Sequence, residues 1–266
     1  MSQTFRHPEI LGIARSEGKV VVEDLAARFG VTVQTIRRDL TDLAEAGKLE
    51  RVHGGAVLPS GVSNIDYEER RALNKEAKQA MAQACARTIP DGASLFLNIG
   101  TSTEAVARAL LEHRDLMVIT NNVNVANILV DNTDCEIVVT GGVLRRADGA
   151  LTGSLTTGAI ERFKSDFAVI GCSAIDLQGD VLDFDLDEVE VSRVILRQAR
   201  RTYLLADHSK FQRSAPARIA HLDEIDDVFT DRDLPGPLAA RSVGWPTAFH
   251  MCPVTGVGDR LVPEPG

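Results

Sequence analysis

The stretch over residues 30–55 reads GVTVQTIRRDLTDLAEAGKLERVHGG, and it constrains the chain more than any other. At about 100° per residue, a helix over 33–46 gathers Val33, Ile36, Leu40 and Leu43 on one face. The same winding turns Gln34, Arg38 and Thr41 to the opposite face. Thr32 suits the N-cap, Gly47 suits the stop, and Gly30 suits a tight turn from a preceding helix whose apolar stripe is Leu25, Ala26 and Phe29. Helix, short turn and helix place a second helix in the major groove of DNA. Beyond Gly47, two short strands over 48–53 and 56–58, joined by a Gly54-Gly55 turn, form a wing. The surface so offered to DNA comprises Thr32, Gln34, Thr35, Arg37, Arg38 and Thr41, with Arg51 and His53 on the wing where phosphates pass. A merely solvated helix face would carry similar charges. Helix, turn, helix and wing in succession, with the charges off the apolar side, favour DNA.

A chain of 266 residues is too long for a winged helix alone, so a second domain of ordinary size must follow. Up to residue 58, eight Lys and Arg balance eight Asp and Glu, whereas the remainder carries 21 against 30 and accounts for the net −9. The general surface of that second part is therefore unsuited to nucleic acid. Cys85, Cys135, Cys172 and Cys252 are scattered without a CxxC or a nearby His pair, so neither a zinc site nor a disulfide framework is expected. Buried thiols in a reducing cytoplasm are the default. The opening MSQTFRHPEI has no apolar run of a leader peptide, and no segment reaches the length of a membrane span. The expectation is a soluble cytoplasmic protein with no membrane partner.

In chain order, residues 8–17 read as a first helix ended by Gly18, residues 20–22 as a short strand, and Glu23-Asp24 as the opening of the next helix. Pro59, Ser60, Gly61 and Ser63 suggest a linker. NIDYEERRALNKEAKQAMAQACARTI reads as one helix with Ala77, Met81, Ala84 and Cys85 on one side. The apolar runs SLFLNI, LMVIT, EIVVT, FAVIG, TYLLA and VFT then alternate with helical stretches. Such alternation predicts an α/β domain with a mainly parallel sheet covered on both faces, its ligands outside the carboxyl ends of the strands. The expected division is a winged helix over 1–58, linker and start of a connecting helix over 59–74, an effector-binding domain over 75–233, and a tail over 234–266.

Those strand ends are small and polar. Gly100, Thr101, Ser102 and Thr103 open a helix, where backbone N–H groups, hydroxyls and the helix dipole suit an anion. The others are Thr120-Asn121-Asn122, Thr140-Gly141-Gly142, Gly171-Cys172-Ser173 and Asp207-His208-Ser209-Lys210. Each alone is an ordinary turn or helix cap. Together they predict a polar pocket, with Lys210 as counter-charge to a phosphate. The acidic run LDFDLDEVE reads as a solvated helix entrance rather than a metal site. Arg197, Arg200 and Arg201 read as a surface helix end, and His113 and His221 have no evident partner.

TVQTIRRDLTDLAEAGKLERVHGGAVLPS resembles the N-terminal signature of DeoR-family bacterial transcription regulators, and IGTSTEAVARALL, VITNNVNVANIL, VTGGVLR and ADHSKF resemble the strand-end motifs of their sensor domain. The resemblance spans residues 5–231. It implies a sensor fold similar to ribose-5-phosphate isomerase, no cofactor, a phosphorylated sugar or polyol effector, and a dimer or tetramer on paired half-sites of double-stranded operator DNA. TNNVNVAN and LDFDLDEVEV, compared within the family, point to glycerol-3-phosphate and to repression of carbohydrate or glycerol genes. Carried over by motif, the effector site would use Gly100, Thr101, Ser102 and Thr103, with Asn121, Gly141, Gly142, Asp183, Glu188 and Lys210. Asn98 stands where the family often has an acidic residue. From Leu234 the chain runs past the family's usual end, Pro- and Gly-rich and aperiodic, and disorder or an atypical extension is expected. Two other readings stay open: a sugar-phosphate isomerase using Asp183 or Glu188 with Lys210 as acid and base, and a winged helix used only for protein contacts.

Overall fold

The computed structural model describes residues 3–57 and 67–254, and no helix among them is long and apolar enough to cross a membrane. The first unit is built from α1 (Gln3–Glu17), β1 (Lys19–Val21), α2 (Val22–Phe29), α3 (Val33–Glu45), β2 (Glu50–Val52) and β3 (Gly55–Val57). Its strands pair antiparallel in the order β1-β3-β2. Ile10, Ala14, Val20, Leu25, Ile36, Leu40 and Leu43 close into one core, each large apolar side chain contributing about 1.5–3 kcal/mol by burial. Thr32 caps α3 as expected, its hydroxyl accepting from the Thr35 N–H at 3.2 Å. α1 begins at Gln3 rather than at Pro8, which lies inside it. The wing also turns one residue earlier than expected, at His53-Gly54. Gly55 belongs to β3, where a Cβ would stand 1.9 Å from the Val20 carbonyl oxygen, so the close approach of β1 is what requires glycine there.

The second unit comprises α4 (Tyr67–Ala72), α5 (Lys75–Ala86), β4 (Ser94–Leu97), α6 (Thr101–Ala109), β5 (Leu116–Thr120), α7 (Val123–Leu129) and β6 (Cys135–Val139). It continues with β7 (Val143–Arg145), β8 (Ala150–Thr152), α8 (Ser154–Ile160), β9 (Ser165–Ile170), β10 (Ala174–Ile175) and β11 (Asp180–Asp183). It ends with α9 (Leu186–Arg197), β12 (Ala199–Leu205), a 3-10 turn (His208–Gln212), β13 (Ala217–His221), β14 (Asp227–Thr230), α10 (Gly236–Arg241) and β15 (Ala248–Met251). Seven strands form an all-parallel sheet in the order β15-β14-β12-β9-β4-β5-β6. Alternation along each strand feeds two cores. Phe96, Ile119, Ala168 and Leu204 point to one face, and Leu95, Leu97, Val118, Val169 and Leu205 to the other. Burial on both faces explains why these strands read as continuous apolar runs.

Several expectations are corrected. The single helix foreseen from Asn64 onward is broken: Asn74 takes a left-handed conformation (φ 50°) and its amide donates to Asp207 at 2.8 Å. The Lys78 ammonium meanwhile donates to the carbonyls of Arg70 and Leu73, ending α4. Those tertiary bonds outweigh a continuous helical propensity. The antiparallel pair β7-β8 and the small sheet β10-β11-β13 had no clear periodic signal. Disorder from Leu234 does not hold over 234–254. Pro237 falls in the first turn of α10, where its missing N–H costs nothing, and β15 adds to the sheet beside β14. His250 stacks on Phe229 and bonds Asp227 at 2.7 Å, while Trp245 packs edge-on against His221. Residues 255–266 lie outside the described residues, as do residues 59–66 of the linker segment expected over 59–74.

Candidate functional site

Helix α3 is held in the winged helix by more than its apolar stripe. Asp39 is 2% exposed and takes two bonds from the Arg6 guanidinium, at 2.7 and 3.1 Å, with His7 at 3.4 Å. This pair ties α1 to α3 and had no periodic signature. The opposite side of α3 is open, for Thr32, Gln34, Arg37, Arg38 and Thr41 are exposed, Thr35 half-buried, and Arg51 and His53 exposed on the wing. The Thr41 hydroxyl donates to the Arg37 carbonyl at 2.8 Å, and the Arg51 guanidinium reaches the same oxygen at 3.4 Å. The wing is thus stapled beside the exposed helix face, and basic and amide side chains form one continuous surface that suits a groove and its flanking phosphates.

The second site lies at the carboxyl ends of β4, β9 and β12. Gly100, with φ 127°, turns the chain from β4 into α6. Gly100, Thr101 and Ser102 line a cleft of about 40 Å3 together with Asp183, Glu188 and Lys210. Asp183 is held by the Ser173 hydroxyl at 2.9 Å and its own neighbouring Phe184 N–H at 2.7 Å. Burial pushes its carboxyl up, and burial beside Asp183 pushes Glu188 up to about 7 although Arg145 touches it. Burial lowers the Lys210 ammonium against the attraction of Asp207. Asp207 itself, raised by burial, is held down at about 2 by Lys210 and by bonds from Ser209 and Asn74. One side of the cleft therefore offers helix-opening amides and an ammonium for an anion, and the other offers carboxyl groups for hydroxyls.

Lys210 lies in the turn His208–Gln212, whose other side meets the winged helix. Glu17, at the end of α1, lies 3.3 Å from His208 and 2.9 Å from Arg232, while Asp231 bonds the other His208 nitrogen at 2.7 Å. Burial would lower His208, yet Asp231 raises it above the ordinary histidine range. Gly18 is buried against this turn with φ 77°, and a Cβ there would fall 2.1 Å from the Gln212 Cβ.

Residues 6–62 match the DeoR-like helix-turn-helix domain, and residues 73–232 match the DeoR C-terminal sensor domain. The chain is 43% identical over 243 residues to the glycerol-3-phosphate regulon repressor of Escherichia coli (strain K12), covering 91% of this chain and 96% of that protein. It is 45% identical over 230 residues to the glycerol-3-phosphate regulon repressor of Haemophilus influenzae, covering 86% and 90%. The chain belongs to the DeoR family. Another relative is the HTH-type transcriptional repressor CsqR of Escherichia coli (strain K12), 38% identical over 236 residues, with 89% of this chain and 90% of that one covered. Among solved structures, ribose-5-phosphate isomerase A from Methanocaldococcus jannaschii aligns with a TM-score of 0.39 at 14% identity, over 52% of this chain and 55% of that one. With relatives of this kind, the chain is a regulator and not an isomerase.

Membership of the DeoR family does not by itself place side chains. The structure gathers Gly100, Thr101, Ser102, Asp183, Glu188 and Lys210 in the cleft and leaves four motif residues out of its lining. The Thr103 hydroxyl turns back onto the Gly100 carbonyl at 2.7 Å, and the Asn121 amide donates to Leu151. Gly141 and Gly142 serve packing: the Thr156 hydroxyl bonds the Gly141 carbonyl at 2.7 Å, and a Cβ on Gly142 would stand 2.0 Å from it. The acidic run is no solvated entrance throughout, since Asp185 caps α9 while Asp183 and Glu188 face the cleft. Arg201 lies within β12 and pairs with buried Asp227 at 2.6 Å instead of ending a helix. His113 bonds the Ala86 and Ile89 carbonyls, and His221 bonds Asp223 and the Gln178 carbonyl, so both have partners. Sequence reading missed Tyr67, Arg70, Asp148 and Ser192 in the cleft, because their elements reach it only through tertiary packing.

Proposed function

We propose that a small phosphorylated polyol, glycerol-3-phosphate first, binds the strand-end cleft and releases the chain from operator DNA. The protein is a DeoR-type DNA-binding repressor of sugar or glycerol metabolism. The observation that carries the effector reading is the convergence of the Gly100–Ser102 helix opening with Lys210, facing Asp183 and Glu188. Phosphate goes to the amides, the hydroxyls and the ammonium, and the polyol hydroxyls go to the carboxyl groups. Gln34 and Arg38 read base edges, while Arg51 and His53 contact phosphate. A single reading helix spans few base pairs, so two or more copies act on paired half-sites.

The turn His208–Gln212 supports a route for the switch, since Lys210 faces the cleft and His208 faces Glu17 of α1. Effector on Lys210 favours an arrangement of the winged helices that fits the operator less well. A ligand of equal affinity for both arrangements would shift nothing, and the factor it removes from operator affinity the operator removes from its own. Titration calorimetry with a panel of sugar and polyol phosphates, repeated on operator-bound protein, tests the reading. The expected result is binding of glycerol-3-phosphate, no binding of glycerol, and weaker ligand affinity on the operator complex. Failure of every phosphorylated compound to bind would overturn it.

A further inference from the structure

Arginine 70 is poorly satisfied for so buried a cation. Its side chain is 18% exposed, and among the described residues the one partner of its guanidinium is Asp148, at 3.4 Å. Its Nε is buried without a hydrogen-bond partner among the described residues. Asp148 is already committed elsewhere, bonding Arg145 at 2.9 and 2.6 Å. Arg145 shows the contrast, with Asp148, Asp185 and Glu188 all around it. Arg70 also lines the cleft and lowers the neighbouring Lys210 ammonium by charge repulsion. Two cations thus face one cleft, with the Asp183 carboxyl within electrostatic reach of both.

The helix that carries Arg70 limits the room. Tyr67 at the start of α4 donates to the Glu104 carboxylate at 2.8 Å and accepts from the Asn124 amide at 3.0 Å, which holds the helix over the strand ends. With α4 so placed the free space of the cleft is about 40 Å3, and Tyr67 and Arg70 of α4 form part of its wall.

We propose that Arg70 is a ligand of the effector's phosphate, exchanging its long contact with Asp148 for a dianionic phosphomonoester that it clamps against Lys210. A guanidinium fork matches a phosphate bidentately, and the buried Nε supplies the second donor. Lys78 holds the far end of α4 by its Arg70 and Leu73 carbonyls. This assignment rests on the effector reading above and adds the residue that distinguishes phosphate from a neutral polyol.

The test uses the full chain and glycerol-3-phosphate as probe, with calorimetric titrations from pH 5 to 8, across the second ionisation of the phosphate near about 6. Arg70→Gln is expected to weaken binding by about 10- to 100-fold and to flatten the gain in affinity as the dianion forms. Glu188, raised to about 7 in the same cleft, contributes to the profile of wild type and variant alike, and a merely structural role of Arg70 would not move the difference between the two profiles. Arg70→Lys, which keeps the charge and the stem, is expected to bind more tightly than the Gln variant and keep the profile; it carries the comparison with wild type if Arg70→Gln does not fold, a fork then being read as a loss of about 10-fold. Unchanged affinity and profile in the Arg70 variants, with Lys210→Gln impaired, would overturn the assignment and leave the cleft standing. Unchanged affinity in Lys210→Gln, or no binding by wild type, would instead overturn the cleft itself and this assignment with it.

Discussion

The exposed face of α3 and the strand-end cleft, proposed here to read DNA and to bind effector, use the same residue types under opposite conditions. Arg37, Arg38 and Arg51 are exposed to water, Arg51 reaching the Arg37 carbonyl at 3.4 Å. Arg145 touches Glu188, and Glu188 lines the same cleft as Lys210, where each charge depends on its neighbours and burial moves Glu188 up to about 7. An exposed cation can change with little effect on the fold, because solvent screens it. A buried one belongs to a network, and its loss leaves another charge uncompensated. The lesson is that an exposed charged surface is set residue by residue, whereas a buried charged cleft is set by the whole group.

The largest effect is expected from Ser102→Asp. A carboxylate at the helix opening repels phosphate at its own site, so glycerol-3-phosphate binding should fall by about three orders of magnitude, about 4 kcal/mol. Operator affinity in a gel shift should be unchanged, giving a repressor that no longer lets go. Loss of both activities together would mean the two regions are not separable.

Next comes Asp39→Asn, which leaves Arg6 buried without its carboxylate. The winged helix should lose about 3–5 kcal/mol in denaturant unfolding, with effector binding retained. The comparison sharpens at the reading face itself. Arg38→Ala should cost about 1–3 kcal/mol on the true operator and relax its specificity, while Arg51→Ala should weaken all sequences alike and reduce the salt slope by about one. Equal operator affinity for wild type and Arg38→Ala would remove α3 from the reading role.

Acid and base distinguish the cleft from the reading face. The folded Glu188 carboxyl keeps its proton to about 7, while the unfolded chain releases it near 4.5. In that window the folded state binds more protons, so this residue's contribution to stability falls as pH rises from about 4.5 to about 7. Glu188→Gln removes the fall. The variant should gain about 1–2 kcal/mol on its parent between pH 5 and pH 7.5 in urea unfolding. A constant difference across that range would show that Glu188 is ionised throughout. The smallest effect, about 1 kcal/mol, is expected for Gly18→Ala, from the left-handed backbone and the clash with Gln212. Its use is to loosen the contact between the two regions, and an effector that still releases operator as strongly as in wild type would exclude the His208–Gln212 turn as the route.

The sequence by itself determined the winged helix and the parallel sheet. Ile36, Leu40 and Leu43 recur at helical spacing, and the runs around Phe96, Ile119 and Leu204 recur between helices, so local periodicity already specifies which faces are buried. It also supplied the small polar strand ends, because a parallel sheet brings its carboxyl edges together whatever the loops contain. Tertiary structure alone decided which of those ends share a cleft. Thr103, Asn121, Gly141 and Gly142 carry the same motif signal as Ser102, yet they stand outside the cleft lining, Thr103 and Gly141 bonded within the fold and the Asn121 amide donating to the Leu151 carbonyl. Arg70 enters the cleft, and Asp39 finds Arg6, across separations that no local pattern records. The break at Asn74 and the strand β15 arise likewise, since Asp207 and the free edge of β14 offer partners visible only once the sheet has closed. Periodicity reports which side of an element meets the core, but a buried polar contact is chosen by geometry among all the groups that packing brings within about 3 Å.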